Sequence, residues 1–298
     1  MIFLAVLSAC LTVSAVGATQ STRILARSSV TALAADGDDV AFSAARTAVD
    51  CDRVFIWERL SGQTFQLGKH QRCALHAAPT DSVAVTGGRA LWLTSAVGKT
   101  VDWQLWTAST TRKTPRLLQF ESRQPTDPRP MVIAAGGGLL PYAVDANVTA
   151  LKANGATAFT WTAASPVVAL AAAGGRVAVA EAQKVTVLDA HGKIVSVDLY
   201  ATSDVSAVAF VTKGLVVQRG PMIELRRGAD AHVFTISTDA HLADADGSGA
   251  AWSDGKLVHV LHLPDGAQTG AYAGSVGAFA GSRLYVANGR TITVRTIR

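Results

Sequence analysis

Charge is scarce in this chain. Lys and Arg number 27 against 22 Asp and Glu, only 16% of 298 residues, and the net charge is a modest +5. The densest basic stretch, Arg112, Lys113 and Arg116, and the doublet Arg226-Arg227 read as solvated faces. No basic stripe with interleaved aromatics is present, which excludes a nucleic-acid surface. Aromatics are few, at 6%, and cysteines number three. Beyond the N-terminus no uncharged apolar run approaches the roughly 18 residues that a membrane-spanning helix needs, so no transmembrane segment is expected. No G-x-S-x-G elbow, H-E-x-x-H pair or phosphate loop occurs, which removes the commonest hydrolase and nucleotide signatures. What is abundant is apolar residue, 49% of the chain, and glycine, with 26 copies. That balance specifies a globular, turn-rich protein rather than a disordered one.

The first 18 residues carry no charged side chain. Met1 to Val16 is apolar and Val16-Gly17-Ala18 ends it with small residues, the pattern of a secretory signal cut after Ala18. The n-region lacks its usual Lys or Arg. Leu7-Ser8-Ala9-Cys10 resembles a lipobox, but the preceding run is short and an apolar segment, not a polar tether, follows it. Export without a lipid anchor is the main expectation, placing the protein outside the cell or in the periplasm or envelope. Removing residues 1–18 leaves Cys51 and Cys73.

The glycines have an order. Seven times an apolar strand meets a turn and returns as a second apolar strand, with the turns read at Gly37, Gly87, Gly137, Gly174, Gly214, Gly247 and Gly281. A third alternating strand follows each hairpin, as at Val54–Trp57, Trp103–Trp106 and Val185–Leu188; period two means strand. That pattern overrules a helical reading of the Ala-rich stretch 177–190. A further turn (Gly62, Gly155, Gly192, Gly228, Gly266) leads to a fourth strand, such as Thr64–Leu67 or Ile194–Asp198. Repeats begin at Ser29, Ser82, Met131, Val167, Val205, Ala240 and Ser275, the first two being the longest. Residues 22–298 are thus an all-β seven-bladed β-propeller of four-stranded antiparallel blades, since one meander cannot bury both its faces and seven arranged radially bury each other's. The seventh repeat lacks a fourth strand. Thr22–Arg27 is a strand without a partner in repeat one and is expected to complete the last blade.

The order of inner strand, Gly turn, second strand, third strand ending at Trp57-Glu58, then turn and outer strand resembles WD40 and quinoprotein-like β-propellers across residues 22–298. The resemblance is to architecture: Trp57-Glu58 meets the Trp-Asp pair loosely, and no repeat shows a regular Gly-His. It implies a ring with a central channel, often a binding platform. The six Trp residues are expected to pack between blades.

Alternating strand directions put Cys51 and Cys73 on one end of blade one. A disulfide closing that roughly 22-residue loop contributes on the order of 3 kcal/mol in the chain-entropy model. The alternative is zinc on His70, Cys73 and His76, with Cys51 as fourth ligand; the usual paired-cysteine signature is missing. His259 and His262, three apart on a strand, point to opposite faces. Asp244-Ala245-Asp246-Gly247 lacks the later ligands of a calcium loop and aligns with the hairpin turn of its sister repeats. No cofactor or metal is expected. The longer first repeats place loops Ala45–Asp52, Gly68–Asp81, Ser95–Asp102 and Phe120–Pro130 on the same end, and Arg72, His76, Arg123 and Arg129 are their candidate binding residues. The expected function is a secreted, non-enzymatic scaffold for a protein or envelope glycan, with a monomer compatible with the closed ring. The alternative is a hydrolase or lyase working at the channel mouth, which carboxylates converging there would favour and walls of Ala, Val and Thr would disfavour.

Overall fold

The computed structural model describes residues 22–45, 52–68, 80–201, 204–228, 230–247, 249–263 and 265–297. Cys10, His70 and four of the residues singled out above, Cys51, Arg72, Cys73 and His76, lie outside them, together with most of the loops Ala45–Asp52 and Gly68–Asp81. The described residues form 28 strands in seven four-stranded antiparallel sheets. After β1 (Arg23–Leu25), blade one holds β2 (Val30–Asp36), β3 (Asp39–Ala45), β4 (Asp52–Glu58) and β5 (Gln63–Leu67). Blade two holds β6 (Thr80–Thr86), β7 (Arg89–Val97), β8 (Val101–Ser109) and β9 (Arg116–Arg123). Blade three follows with β10 (Met131–Ile133), β11 (Leu139–Val144), β12 (Asn147–Lys152) and β13 (Thr157–Thr162). Blade four is β14 (Ala169–Ala173), β15 (Arg176–Glu181), β16 (Lys184–Leu188) and β17 (Ile194–Leu199). Blade five is β18 (Val205–Val211), β19 (Gly214–Arg219), β20 (Met222–Arg227) and β21 (Asp230–Thr235). Blade six is β22 (His241–Asp246), β23 (Gly249–Ser253), β24 (Leu257–His262) and β25 (Gln268–Ala273). Blade seven is β26 (Val276–Ala280), β27 (Arg283–Asn288) and β28 (Thr291–Thr296), completed by β1.

The ring meets itself as the spare N-terminal strand requires. Arg23, Ile24 and Leu25 pair with Thr293, Ile292 and Thr291. Ala26 N donates to Arg290 O at 2.7 Å, and Val294 N to Thr22 O at 2.9 Å. Blade seven also packs on blade one, where Trp57 meets Tyr285 edge to face at 6.3 Å between centroids, a geometry worth about 1 kcal/mol beyond burial.

The core is not one mass. Seven apolar clusters fill the seven interfaces between neighbouring blades, from the Val40–Phe42–Trp57–Tyr285 cluster joining blades seven and one, through those of blades one and two, two and three, three and four, four and five and five and six, to the Val258–Phe279–Leu284 cluster between six and seven. Trp92, Trp103, Trp161 and Trp252 sit in four of these seams. Burial falls outward along each blade: β15 and β19 are almost wholly covered, β17 and β21 mostly exposed. The inner strands are sandwiched by neighbours, and the fourth lies on the perimeter. The Ala-rich stretch 177–190 contributes β15 and β16, as its alternation dictates.

Six hairpins turn on two residues whose first is a glycine with φ between +53° and +62°, the left-handed conformation that glycine adopts without penalty. The fifth does not. Val211 pairs with Gly214, so the turn is Thr212-Lys213 and Gly214 opens β19. A Cβ there would lie 2.0 Å from Arg226 O. Glycine is needed at 214 for close approach of β20, not for the turn.

Two of the expected loops are also corrected. Within Ser95–Asp102, β7 and β8 pair continuously as far as Val97 and Val101 and leave only a tight connection, where Gly98 N donates to Thr100 O at 2.8 Å. Phe120–Arg123 is the end of β9, paired with Val101–Gln104. Blade two uses its extra residues to lengthen strands, because the apolar alternation through Trp103 and Leu105 continues past the point where the other blades turn.

Candidate functional site

The end of the ring that carries the β9–β10 connection holds Arg123 and Arg129. Asp145, in the β11–β12 turn with φ +50°, accepts from Arg123 Nη2 at 2.7 Å, and Glu121 lies 3.1 Å from the same nitrogen. Arg123 therefore clips the end of blade two to blade three. Arg129 Nη2 donates to Ser82 Oγ at 3.0 Å, and its guanidinium lies over the Trp103 ring at 5.2 Å. The residue has an exposed edge, but loss of water around the guanidinium lowers its pKa, against the opposing pull of Asp81. Arg123 ends β9 and Arg129 lies in the connection that follows, and both already have partners.

The central channel encloses about 350 Å³ between the seven inner strands. Its wall is Ala, Val, Leu and Phe for most of the circuit, with three carboxylates, Asp36, Asp244 and Asp246. Each carboxylate is turned to the neighbouring blade. Thr86 Oγ1 donates to Asp36 and itself accepts from Gly138 N at 3.0 Å, which links blades one, two and three. Asp244 accepts from Ala245 N and Phe279 N, both at 2.8 Å. Asp246 accepts from Gly247 N at 2.6 Å and from Gly281 N. On the hairpin ends nearby, Asp39 accepts from Gly88 N at 2.6 Å. Loss of water raises the Asp244 pKa to about 7, only partly offset by the two amide donors and reinforced by negative Asp246 and Asp36. A carboxyl so displaced inside a cavity is the usual signature of a functional group, but each of its oxygens accepts from a backbone amide, and the one from Phe279 N joins blade six to blade seven. Against the test set by the sequence the wall is split: most of it is small and aliphatic, and it also carries three carboxylates, each of them bonded to a group of the neighbouring blade.

His259 and His262 do not act together. His259 stacks on Trp252 at 3.8 Å between centroids and lies 3.3 Å from Asp254, while His262 lies 2.8 Å from Asp265. Asp246 ends β22 and Gly247 opens the sixth hairpin turn.

No family model matches the chain, and no curated protein matches it. Solved structures do. Sqt1 from Saccharomyces cerevisiae superposes with a TM-score of 0.53 at 11% identity, covering 94% of this chain and 99% of that one. U3-55K superposes with a TM-score of 0.59 at 11% identity, covering 93% and 98%. The fold is that of a WD40-like propeller. At this identity the likeness concerns the fold alone.

One perimeter strand sets this WD40-like propeller apart from its own symmetry. β17 exposes Ile194, Val195, Val197 and Leu199, at 59%, 58%, 48% and 73%. Val197 pairs with Thr186, which pairs with Val179, so Val195, Val197 and Leu199 share the face of blade four that packs on blade three. On the far edge β17 has no neighbour strand among the described residues. Edge strands are ordinarily blunted by charge, proline or bulges; β17 has a register shift at Val195 and Asp198 as its one charge, and its aliphatic side chains stay exposed all the same. The fourth-strand position of Ile194–Asp198 was readable from sequence, and its aliphatic run was the available signal for this surface.

Proposed function

We propose that the protein is a non-enzymatic protein-binding scaffold, and that its partner adds an extended, apolar segment along the open edge of β17. The observation that supports this is the row Val195, Val197 and Leu199 beside a free line of backbone donors and acceptors. Strand addition takes its affinity from main-chain hydrogen bonds and its selectivity from alternate side chains, and an exposed aliphatic row supplies the apolar contact that scattered surface residues do not. The two arginines of the β9–β10 end belong to a weaker version of the same reading, since each already has protein partners. We further propose, on the uncharged apolar start and the small residues 16–18, that the scaffold works after export, in the envelope or outside the cell.

The test is site-specific photocrosslinking in the native source, with the probe at Val197 or, on the other end, at Gln124. The expected result is a defined protein adduct at Val197 that disappears in Val195→Lys/Leu199→Lys, survives in Arg129→Gln, and comes from a mature chain beginning at Thr19. An adduct at Gln124 that is lost in Arg129→Gln and untouched by the β17 substitutions would overturn the assignment to β17.

A further inference from the structure

The turn ends of blades two and three hold a feature that the binding edge does not use. Arg89 opens β7, Arg112 lies in the β8–β9 connection and Arg116 opens β9; the three converge on a cleft of about 200 Å³ whose remaining wall includes Thr107, Thr114 and Asn154. A second hollow of about 370 Å³ adjoins it and shares Arg89, Arg112 and Asn154. Among the described residues no carboxylate lines either one. Arg89 is fixed in place: its Nε donates to Ala153 O at 2.7 Å, and its Nη1 lies 3.4 Å from Thr107 Oγ1. The Cβ that any other residue would add at Gly155 would lie 3.0 Å from the Arg89 guanidinium carbon, so glycine there makes room for the cation. Partial burial lowers the Arg89 pKa, and the like charges of Arg116 and Arg112 lower it further. Arg123, Arg129 and Arg226, by contrast, are each met by an acid or a ring. Arg89, Arg112 and Arg116 repel one another with no acid among the described residues to offset them.

We propose that this cleft is a binding site for a dianionic tetrahedral oxyanion, either inorganic phosphate or the phosphoryl group of a phosphate monoester. Guanidinium groups match such oxygens with paired, charge-assisted hydrogen bonds. A dianion cancels two of the three charges, where a single carboxylate would cancel one. Asn154 completes the donor set: its Oδ1 accepts from Ala156 N at 2.9 Å, leaving the amide nitrogen to donate into the cleft. Arg112 and Arg116 are exposed and are the anion's mobile clamps; Arg89 is the fixed one.

The full chain is titrated calorimetrically with inorganic phosphate and, separately, with glycerol 2-phosphate, at constant ionic strength set by sodium chloride, with acetate as the monoanionic control. The proposal expects saturable binding of at least one dianion and none of acetate, and binding weakened at least tenfold in Arg112→Gln/Arg116→Gln. Both substitutions fall on exposed side chains, so the variant is expected to unfold at the wild-type midpoint, which excludes a folding defect. Tighter binding of the monoester than of phosphate identifies a covalently carried phosphoryl group as the natural ligand; equal binding identifies the free anion. Binding no stronger than that of acetate, or binding unchanged in the double variant, would overturn the site.

Discussion

At the scale of single residues, the chain uses its few polar groups to join blades, and the clearest case is Gln218. Its Oε1 accepts from Leu242 N at 2.7 Å and its Nε2 donates to Ala240 O at 2.7 Å and Gly220 O at 3.0 Å, so one buried amide bridges blades five and six with its polar atoms satisfied. Glu224 is met by Arg219 at 2.5 Å and by Arg226. Asp244 behaves differently, because its pKa is raised to about 7 in the fold. Unfolded, it ionises near the ordinary aspartate value of about 3.9. Between those values the folded state holds more protons than the unfolded one, so this group's contribution falls as pH rises from about 4 to about 7 and is flat above that. The upper bound on the loss is about 4 kcal/mol, reduced because the residue keeps a partly exposed edge toward the channel. Urea unfolding at pH 5 and pH 8 reads it out. Asp244→Asn loses one amide acceptor at both pH values but does not titrate, so its stability relative to wild type is expected to improve by 1 kcal/mol or more on going from pH 5 to pH 8. A constant difference would mean that Asp244 is ionised throughout that range.

At the scale of elements, strand identity was legible wherever residues alternate, and strand ends were not. Period two located third strands in all seven blades, and Ile194–Asp198 as a fourth. It could not show that β7 and β8 pair out to Val97 and Val101, because a polar and small stretch such as Ser95–Asp102 reads as a loop whether or not its backbone stays in register. Nor could it separate the two reasons for a glycine. Gly247 and Gly214 occupy similar places in the aligned hairpins, yet Gly247 has φ +58° and nothing near its missing Cβ, while Gly214 has no positive φ and sits under Arg226 O. Alanine at 247 is therefore a matter of backbone strain, about 1 kcal/mol. Alanine at 214 has to push β20 away from β19 and is expected to cost about 3 kcal/mol or more, in the range of core overpacking. Equilibrium unfolding of the two single variants checks the order; Gly247→Ala proving the more damaging would show that the fifth turn, not the strand contact, demands glycine. The candidate surfaces follow the same division. Arg112 and Arg116 were visible as a basic stretch, but Arg89 joins them only through the ring's third dimension, 23 positions upstream of the nearer one. The cysteines and histidine of blade one remain sequence expectations, because Cys51, Cys73 and His76 lie outside the described residues.

At the scale of the whole molecule, closure carries a consequence that no single blade has. Six seams alone would leave an open ring with one bare face on blade one and another on blade seven. The seam between them is the one that gathers Phe42, Trp57 and Tyr285, and the one where Arg283 reaches Asp38 at 3.0 Å and Gly37 O at 2.8 Å. β1 adds a second fastening, made by residues more than 260 positions from their partners: Arg290 Nε also donates to Ala26 O at 3.1 Å, and Ile24 and Ala26 pack into the same cluster. Long-range pairing of this kind forms late, since the loop it closes is nearly the whole chain. A chain beginning at Ser28 is therefore expected to fold its seven sheets and retain its strand content, with β28 left as an unpaired edge. The cost is about 4 kcal/mol, from a few hydrogen bonds at roughly 1 kcal/mol each and the loss of the apolar burial that Ile24 and Ala26 supply. A chain beginning at Thr19 should match the full length in stability. Hydrogen exchange locates the effect: amides of β28 that bond to β1, Val294 first, should lose protection in the shorter chain, while those of β11 or β15, across the ring, should keep theirs. If protection instead falls equally in all seven blades, the ring opens as one cooperative unit and β1 acts as its lock; if β28 is unaffected, the seam of Trp57 and Tyr285 holds the ring without it.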